Sequence, residues 1–158
     1  MLLRRAPTLP PTLARGLTEE EATAVLRALR RAPPASADVC REAVARAELR
    51  ALRPGLLGRD PERTLARVAL ATGADGVTLG TRVYVRDTLY AEMPLDLVAH
   101  EVAHVAQYLR DGTVPFLLAY VRDYGRHLLA GLDGHRAYLA IRAEREARAV
   151  ADALAEGA

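Results

Sequence analysis

Apolar residues recur along most of this chain with a spacing of three to four, and alternate with polar residues in one place only. Residues 1–16 carry three prolines and no periodic apolar run, and read as an extended arm. Thr18 followed by Glu19, Glu20 and Glu21 then opens a helix. Thr18 and Glu21 have capping-box spacing, and the acids sit at the positive end of the helix dipole. Ala22, Val25, Leu26 and Leu29 carry the apolar face to about Arg31, and Pro33-Pro34 ends it. A second helix is expected from about Ser36 to Leu52, closed by Pro54-Gly55. Asp60-Pro61 starts a third, with Leu65, Val68 and Ala69 inward, and Gly73 stops it.

The period then changes. Val77, Leu79, Val83 and Val85 alternate with polar residues around Gly80-Thr81, which predicts a short hairpin, the one clear strand signal. Three further helices follow, over Pro94 to Arg110, residues 115–130 closed by Gly131, and residues 135–156. The pattern predicts a mostly helical α+β protein. Its organisation is an arm over 1–16, a helical region over 17–73 and a core over 74–158, with the last two expected to share one compact domain.

The helix from Pro94 contains His100-Glu101-Val102-Ala103-His104. Residues four apart lie above one another on a helix face, so both imidazoles can reach one metal ion. Glu101 is offset by one position and can accept a proton from a water on that metal. Around it the helix is apolar nearly all round: Leu95, Leu97, Val98, Ala99, Val102, Val105, Ala106 and Leu109. Buried polar groups without partners in such a helix cost on the order of several kcal/mol. A divalent cation would satisfy the imidazoles.

A third ligand is needed. The longer pattern ending in a third histidine fails, because Gln107 and Arg110 stand where Gly and His are required. His127 and His135 lie near helix ends among polar residues and read as surface or capping groups. In the last helix Ala140, Ala143, Ala147, Val150, Ala151 and Leu154 set the apolar face. At about 100° per residue Glu144 falls on the margin of that face and Glu146 further toward solvent. Glu144 is therefore the expected ligand, with Glu146 in reserve.

Composition narrows the function classes. Every basic residue is Arg, the net charge is +2, and bases and acids are interleaved without a basic stripe. No nucleic-acid partner is expected. Cys40 is the single cysteine, so neither an internal disulfide nor a cysteine metal site can form, and it reads as a small apolar residue on a helix. The two arginines near the N-terminus have no apolar run behind them, and no segment is long enough to span a membrane. A cytoplasmic protein, or one exported without a cleavable signal, is expected, with no membrane partner.

From about Ala74 to Asp152 the chain resembles zincins of the gluzincin kind. More narrowly it resembles the metallopeptidase domain found among core proteins of extracellular contractile injection systems. Four features carry the resemblance: the strand-like segment Val77 to Val85, the continuation of the helix as Val105-Ala106-Gln107, Phe116, Tyr120 and Tyr124 at spacings of four, and Glu144-Arg145-Glu146-Ala147-Arg148-Ala149-Val150-Ala151-Asp152. Family members often keep an acid four residues after the ligand glutamate, where this chain has Arg148. The resemblance implies a zincin-like fold, with its small strand unit before the active-site helix. It also implies a zinc ion on His100, His104 and Glu144 and hydrolysis of a peptide or protein substrate with Glu101 as general base. Tyr120, Tyr124, His127 and Tyr138 are open candidates for stabilising the oxyanion, and the tyrosine stripe also reads as core packing. An extended substrate would add along the strand near Val83–Val85. The competing expectation is a zinc-binding module with little or no peptidase activity, an assembly or targeting part of a larger system that docks through its N-terminal helices.

Overall fold

The computed structural model describes residues 13–55 and 59–156. Most of the expected arm, residues 1–12, lies outside the described residues. Its last part, Ala14–Arg15 (β1), is a short strand. There follow α1 (Glu19–Arg31), α2 (Ala37–Arg46), β2 (Glu48–Leu52), α3 (Pro61–Ala71), β3 (Gly76–Leu79) and β4 (Arg82–Arg86). A 3-10 turn at Tyr90–Glu92 leads into α4 (Leu95–Asp111), α5 (Thr113–Leu129), α6 (Gly134–Ala140) and α7 (Arg142–Ala155). The protein is α+β and mostly helical.

Local chemistry sets several of these boundaries as expected. Thr18 caps α1 in a complete capping box with Glu21, and Arg15 fastens the same carboxylate at 2.8 and 2.9 Å. Asp60 caps α3 ahead of Pro61. Gly80, at φ +66°, is the first central residue of the two-residue β3–β4 turn, a position that favours glycine.

Four expectations are corrected. The second helix ends at Arg46, and Glu48–Leu52 is a strand. Its sequence suits a helix, but as an inner strand it pairs on both sides, antiparallel to β1 and parallel to β4, and Leu49 is fully buried. Tertiary pairing overrides local propensity here. Second, the sheet order among the described residues is β1-β2-β4-β3, so Val83–Val85 is an inner strand and the edge beside it is β3. Third, α3 buries Ala66 and Leu70, while Leu65 and Val68 face solvent. Fourth, the helix expected over 135–156 breaks at Ile141, whose backbone is extended (φ −55°, ψ 131°) and whose side chain is buried.

The alternation of the strands sorts two apolar clusters onto the two faces of the sheet. Leu49, Val83 and Val85 join α1, α2, α4 and α7 in the main core. Leu52 and Tyr84 pack with Ala66 and Leu70 of α3 on the opposite face, with Val77 and Leu79 against them. Gly76 and Thr78 of β3 therefore face α4, as the pleat requires. Cys40 is buried in the main core, its thiol against the Ala35 carbonyl.

Candidate metal centre

Helix α4 runs between the sheet and α7 and buries ten of its residues, four of them polar or aromatic-polar: Glu101, His104, Gln107 and Tyr108. The i, i+4 spacing sets the rings of His100 and His104 edge to face, with their Nε2 atoms 3.2 Å apart. Two imidazole lone pairs at that separation repel unless a proton or a cation lies between them.

The third side chain comes from the break at Ile141. Because the chain restarts there, Glu144 lies in the first turn of α7 and points at α4. Asp123 of α5 accepts the Arg142 N–H at 3.3 Å, doing for this helix start what a local cap does elsewhere. Glu144 Oε2 lies 3.1 Å from His100 Nε2 and Oε1 lies 3.2 Å from His104 Nε2. Tyr120 Oη donates to Oε1 at 2.7 Å. Burial works against the Glu144 charge, but the two histidines and Tyr120 outweigh it and hold its pKa far below the usual carboxylate range. Burial likewise opposes the His104 imidazolium, yet the adjacent Glu144 pushes that group up to about 9. Tyr120 and Tyr138 are both driven upward, by burial first and by the Glu144 charge second.

The donor set fits a tetrahedral cation. With metal–ligand bonds of about 2.0–2.1 Å, the edges of a ligand tetrahedron are about 3.3 Å. The two imidazole nitrogens are 3.2 Å apart, close to one such edge, and the Glu144 carboxylate reaches both, with Oε2 3.1 Å from His100 Nε2 and Oε1 3.2 Å from His104 Nε2. Two neutral nitrogens and one carboxylate are a borderline donor set of the kind zinc takes. Among the described residues these three form the one such group of His, Cys, Asp and Glu. His127 and His135 do not join it.

Gln107, unassigned by the sequence except as part of a resemblance, fixes this geometry. His104 Nδ1–H donates to Gln107 Oε1 at 2.8 Å. The Gln107 amide then donates to the Ala143 carbonyl at 3.0 Å and to Glu146 Oε2 at 2.9 Å. Both of those partners can only accept, so the amide orientation follows from them, and with it the His104 tautomer that leaves Nε2 free. Glu146, the reserve ligand, is thus a partner of Gln107, Arg110 and Arg142. The signal available in the sequence was the spacing of three between His104 and Gln107 on a buried helix face.

Glu101 lies on the β3 side of α4 and is 4% exposed. Thr78 Oγ1 donates to its Oε2 at 2.7 Å. A Cβ on Gly76 would come within 2.8 Å of its Oε1, so only glycine at 76 leaves the carboxylate its place. Sequence reading gave neither Gly76 nor Thr78 a role, because the contact spans 23 positions.

Residues 59–112 match the family model of the eCIS core domain. No curated protein and no solved structure matches the chain. The matched stretch is about a third of the chain and runs from the start of α3 to the end of α4. It contains His100, Glu101, His104, Gln107, Gly76 and Thr78. Glu144 and Tyr120 lie beyond it. The match bears out the resemblance to injection-system core proteins, and it points to a part of a larger protein assembly.

Proposed function

We propose that this chain is a zinc-dependent peptidase in which His100, His104 and Glu144 hold the metal and Glu101 is the general base. The convergence of two imidazole nitrogens 3.2 Å apart and a buried carboxylate that reaches one with each oxygen, at 3.1 and 3.2 Å, carries this reading. A divalent cation bound there supplies a Lewis acid that polarises a carbonyl and acidifies water near neutral pH. Thr78 occupies Glu101 Oε2, which leaves Oε1 to take a proton from the attacking water and return it to the leaving amine. Gln107 and Tyr120 hold the ligands in place; the Tyr120 O–H is committed to Glu144, so Tyr138, also beside Glu144, is the oxyanion donor to test first.

The substrate backbone would lie along β3. In a hairpin with a two-residue turn the pair flanking the turn, Leu79 and Arg82, exchanges hydrogen bonds, and the pattern alternates from there. The bond from Arg86 N–H to the Asp75 carbonyl at 3.0 Å is in phase with it. The backbone groups of Gly76 and Thr78 therefore point away from β4, along the sheet edge, where an extended peptide can add as a strand. Their side-chain positions face Glu101, so one short segment would hold both the substrate and the base.

The competing reading, a zinc-bearing part of an assembly without peptidase activity, draws on two observations. Glu101 is nearly enclosed beneath β3, and the matched family is a core domain. Metal analysis and a broad peptide library decide. The peptidase reading expects equimolar zinc, removed by chelator together with cleavage. It also expects Glu101→Gln to keep its zinc and cleave about 10²–10⁴-fold more slowly. A zinc-loaded wild type inert on every peptide leaves the assembly part. A folded protein that takes up no zinc removes both readings.

A further inference from the structure

Helix α5 is amphipathic in the inverted sense. Its inward positions carry Tyr120, which holds Glu144, and Asp123, which caps α7, and Phe116 is its one buried residue. Its outward positions are Val114, Leu117, Leu118, Val121, Leu128 and Leu129, all exposed, with Val114, Leu118 and Val121 near two-thirds and Leu129 at 91%. At about 100° per residue these span an arc of roughly 120–140° that runs the whole helix, about 25 Å. Most exposed large apolar side chains among the described residues lie between Val114 and Leu139. That concentration marks a surface built to be covered.

The charge around the arc narrows what covers it. Arg122 and Arg126 border one side. Arg126 has no ion pair among the described residues, and Arg122 only approaches Asp123, at 3.9 Å. Asp123 is the one acid in residues 112–132, and it is turned inward onto the α7 start. A second copy of this face would bring no acid to those cations. A single partner helix, at the usual interaxial distance of about 8–10 Å, covers a narrow stripe and leaves Leu117 and Leu129, at opposite margins, uncovered together. A bilayer surface takes up the whole arc at once, and its anionic headgroups meet the arginines, whose long stems let the guanidinium stay at headgroup level. Among the described residues no helix is long and apolar enough to cross a membrane, which bears on spanning and not on lying against one.

We propose that the outer face of α5 docks this protein onto anionic lipid surfaces, with the apolar arc in the headgroup–acyl boundary and Arg122 and Arg126 on the lipid charges. The site's own residues on α5 face the other way, so docking leaves the metal centre intact.

Vesicle flotation tests this with the full chain, using phosphatidylcholine alone and phosphatidylcholine mixed with phosphatidylserine. The wild type is expected to float with the mixed vesicles at least about tenfold more than with phosphatidylcholine alone, and less as salt rises. L118D/V121D is expected to lose flotation on both. R122Q/R126Q is expected to lose the phosphatidylserine preference and keep the weaker apolar binding. Unchanged circular dichroism and zinc content verify that each variant is folded, and the arginine pair, fully on the surface, serves if the apolar pair is not. The proposal is overturned if the wild type floats with neither vesicle, or if its preference survives R122Q/R126Q. It is equally overturned if the wild type is a dimer that L118D/V121D converts to monomer, which would assign the face to a second copy. Binding to an acid-flanked helical peptide without flotation would assign it to a protein.

Discussion

Helices α4 and α5 are consecutive, 17 residues each, joined through Gly112, and both rich in Val, Leu and Ala. Yet α4 buries ten residues and α5 buries Phe116 alone. What separates them is position. α4 has the sheet on one side and α1, α2 and α7 on others, so its valines and alanines are enclosed along with its polar residues. α5 packs against α4, α6 and α7 from one side only and leaves its other face exposed. Where the two helices face α7 both carry polar groups, His100, His104 and Gln107 on α4, Tyr120 and Asp123 on α5. His100, His104 and Tyr120 meet at Glu144. Inward polarity on two neighbouring helices marks the site more sharply than hydrophobicity does.

The comparison is broken most strongly by shortening a side chain on the enclosed helix. Val102 is fully buried in the main core. Val102→Ala removes two methyl groups and leaves a cavity, and the better helix propensity of alanine offsets only a few tenths of a kcal/mol. Urea unfolding should show a loss of about 2 kcal/mol at unchanged slope. A loss under about 0.5 kcal/mol would mean that α4 is not enclosed as described.

The polar line of α4 is sharpened by Gln107→Leu, nearly the same volume without the amide. His104 then loses the acceptor that sets its tautomer, the Ala143 carbonyl loses its side-chain donor, and Glu146 keeps only Arg110 and Arg142. Zinc affinity is expected to fall about 10–100-fold, measured by competition with a chelating dye. Gln107→Glu keeps an acceptor for His104 Nδ1–H and should recover part of that loss, although it sets a carboxylate against Glu146. Equal affinities for all three proteins would reduce Gln107 to a packing residue.

How much of this was legible in the sequence follows the range of each interaction. The caps at Thr18 and Asp60, the hairpin at Gly80 and the pairing of His100 with His104 are local, and spacing reveals them. Glu144 stands on the margin of the apolar stripe of residues 140–154, a local signal that survives although the helix breaks at Ile141. What stayed hidden depends on partners far along the chain. Glu48–Leu52 is a strand because β1 and β4 flank it. Val83–Val85 is an inner strand because β2 reaches it from beyond α3. Gly76 and Thr78 matter because they lie over Glu101. In α5 the stripe of Phe116, Tyr120 and Tyr124 was visible, and Phe116 and Tyr120 do turn inward, but Leu117 and Val121 beside it face outward, because period alone does not tell how wide a face meets the core.

That last point gives the smallest effect and the sharpest contrast. Val121 has the same side chain as Val102 on a helix of the same length, but it is about two-thirds exposed. Val121→Ala deletes methyl groups that water already reaches, so no cavity forms. The stiff, β-branched residue is replaced by the best helix former, a gain of about 0.5 kcal/mol or less. Unfolding should therefore show stability unchanged or raised by up to about 0.5 kcal/mol. The same chemical change would thus lower stability in α4 and leave or raise it in α5. A loss near 2 kcal/mol at Val121 would show that the outer face of α5 is covered within the folded chain itself, and would remove both the contrast and the docking surface built on it.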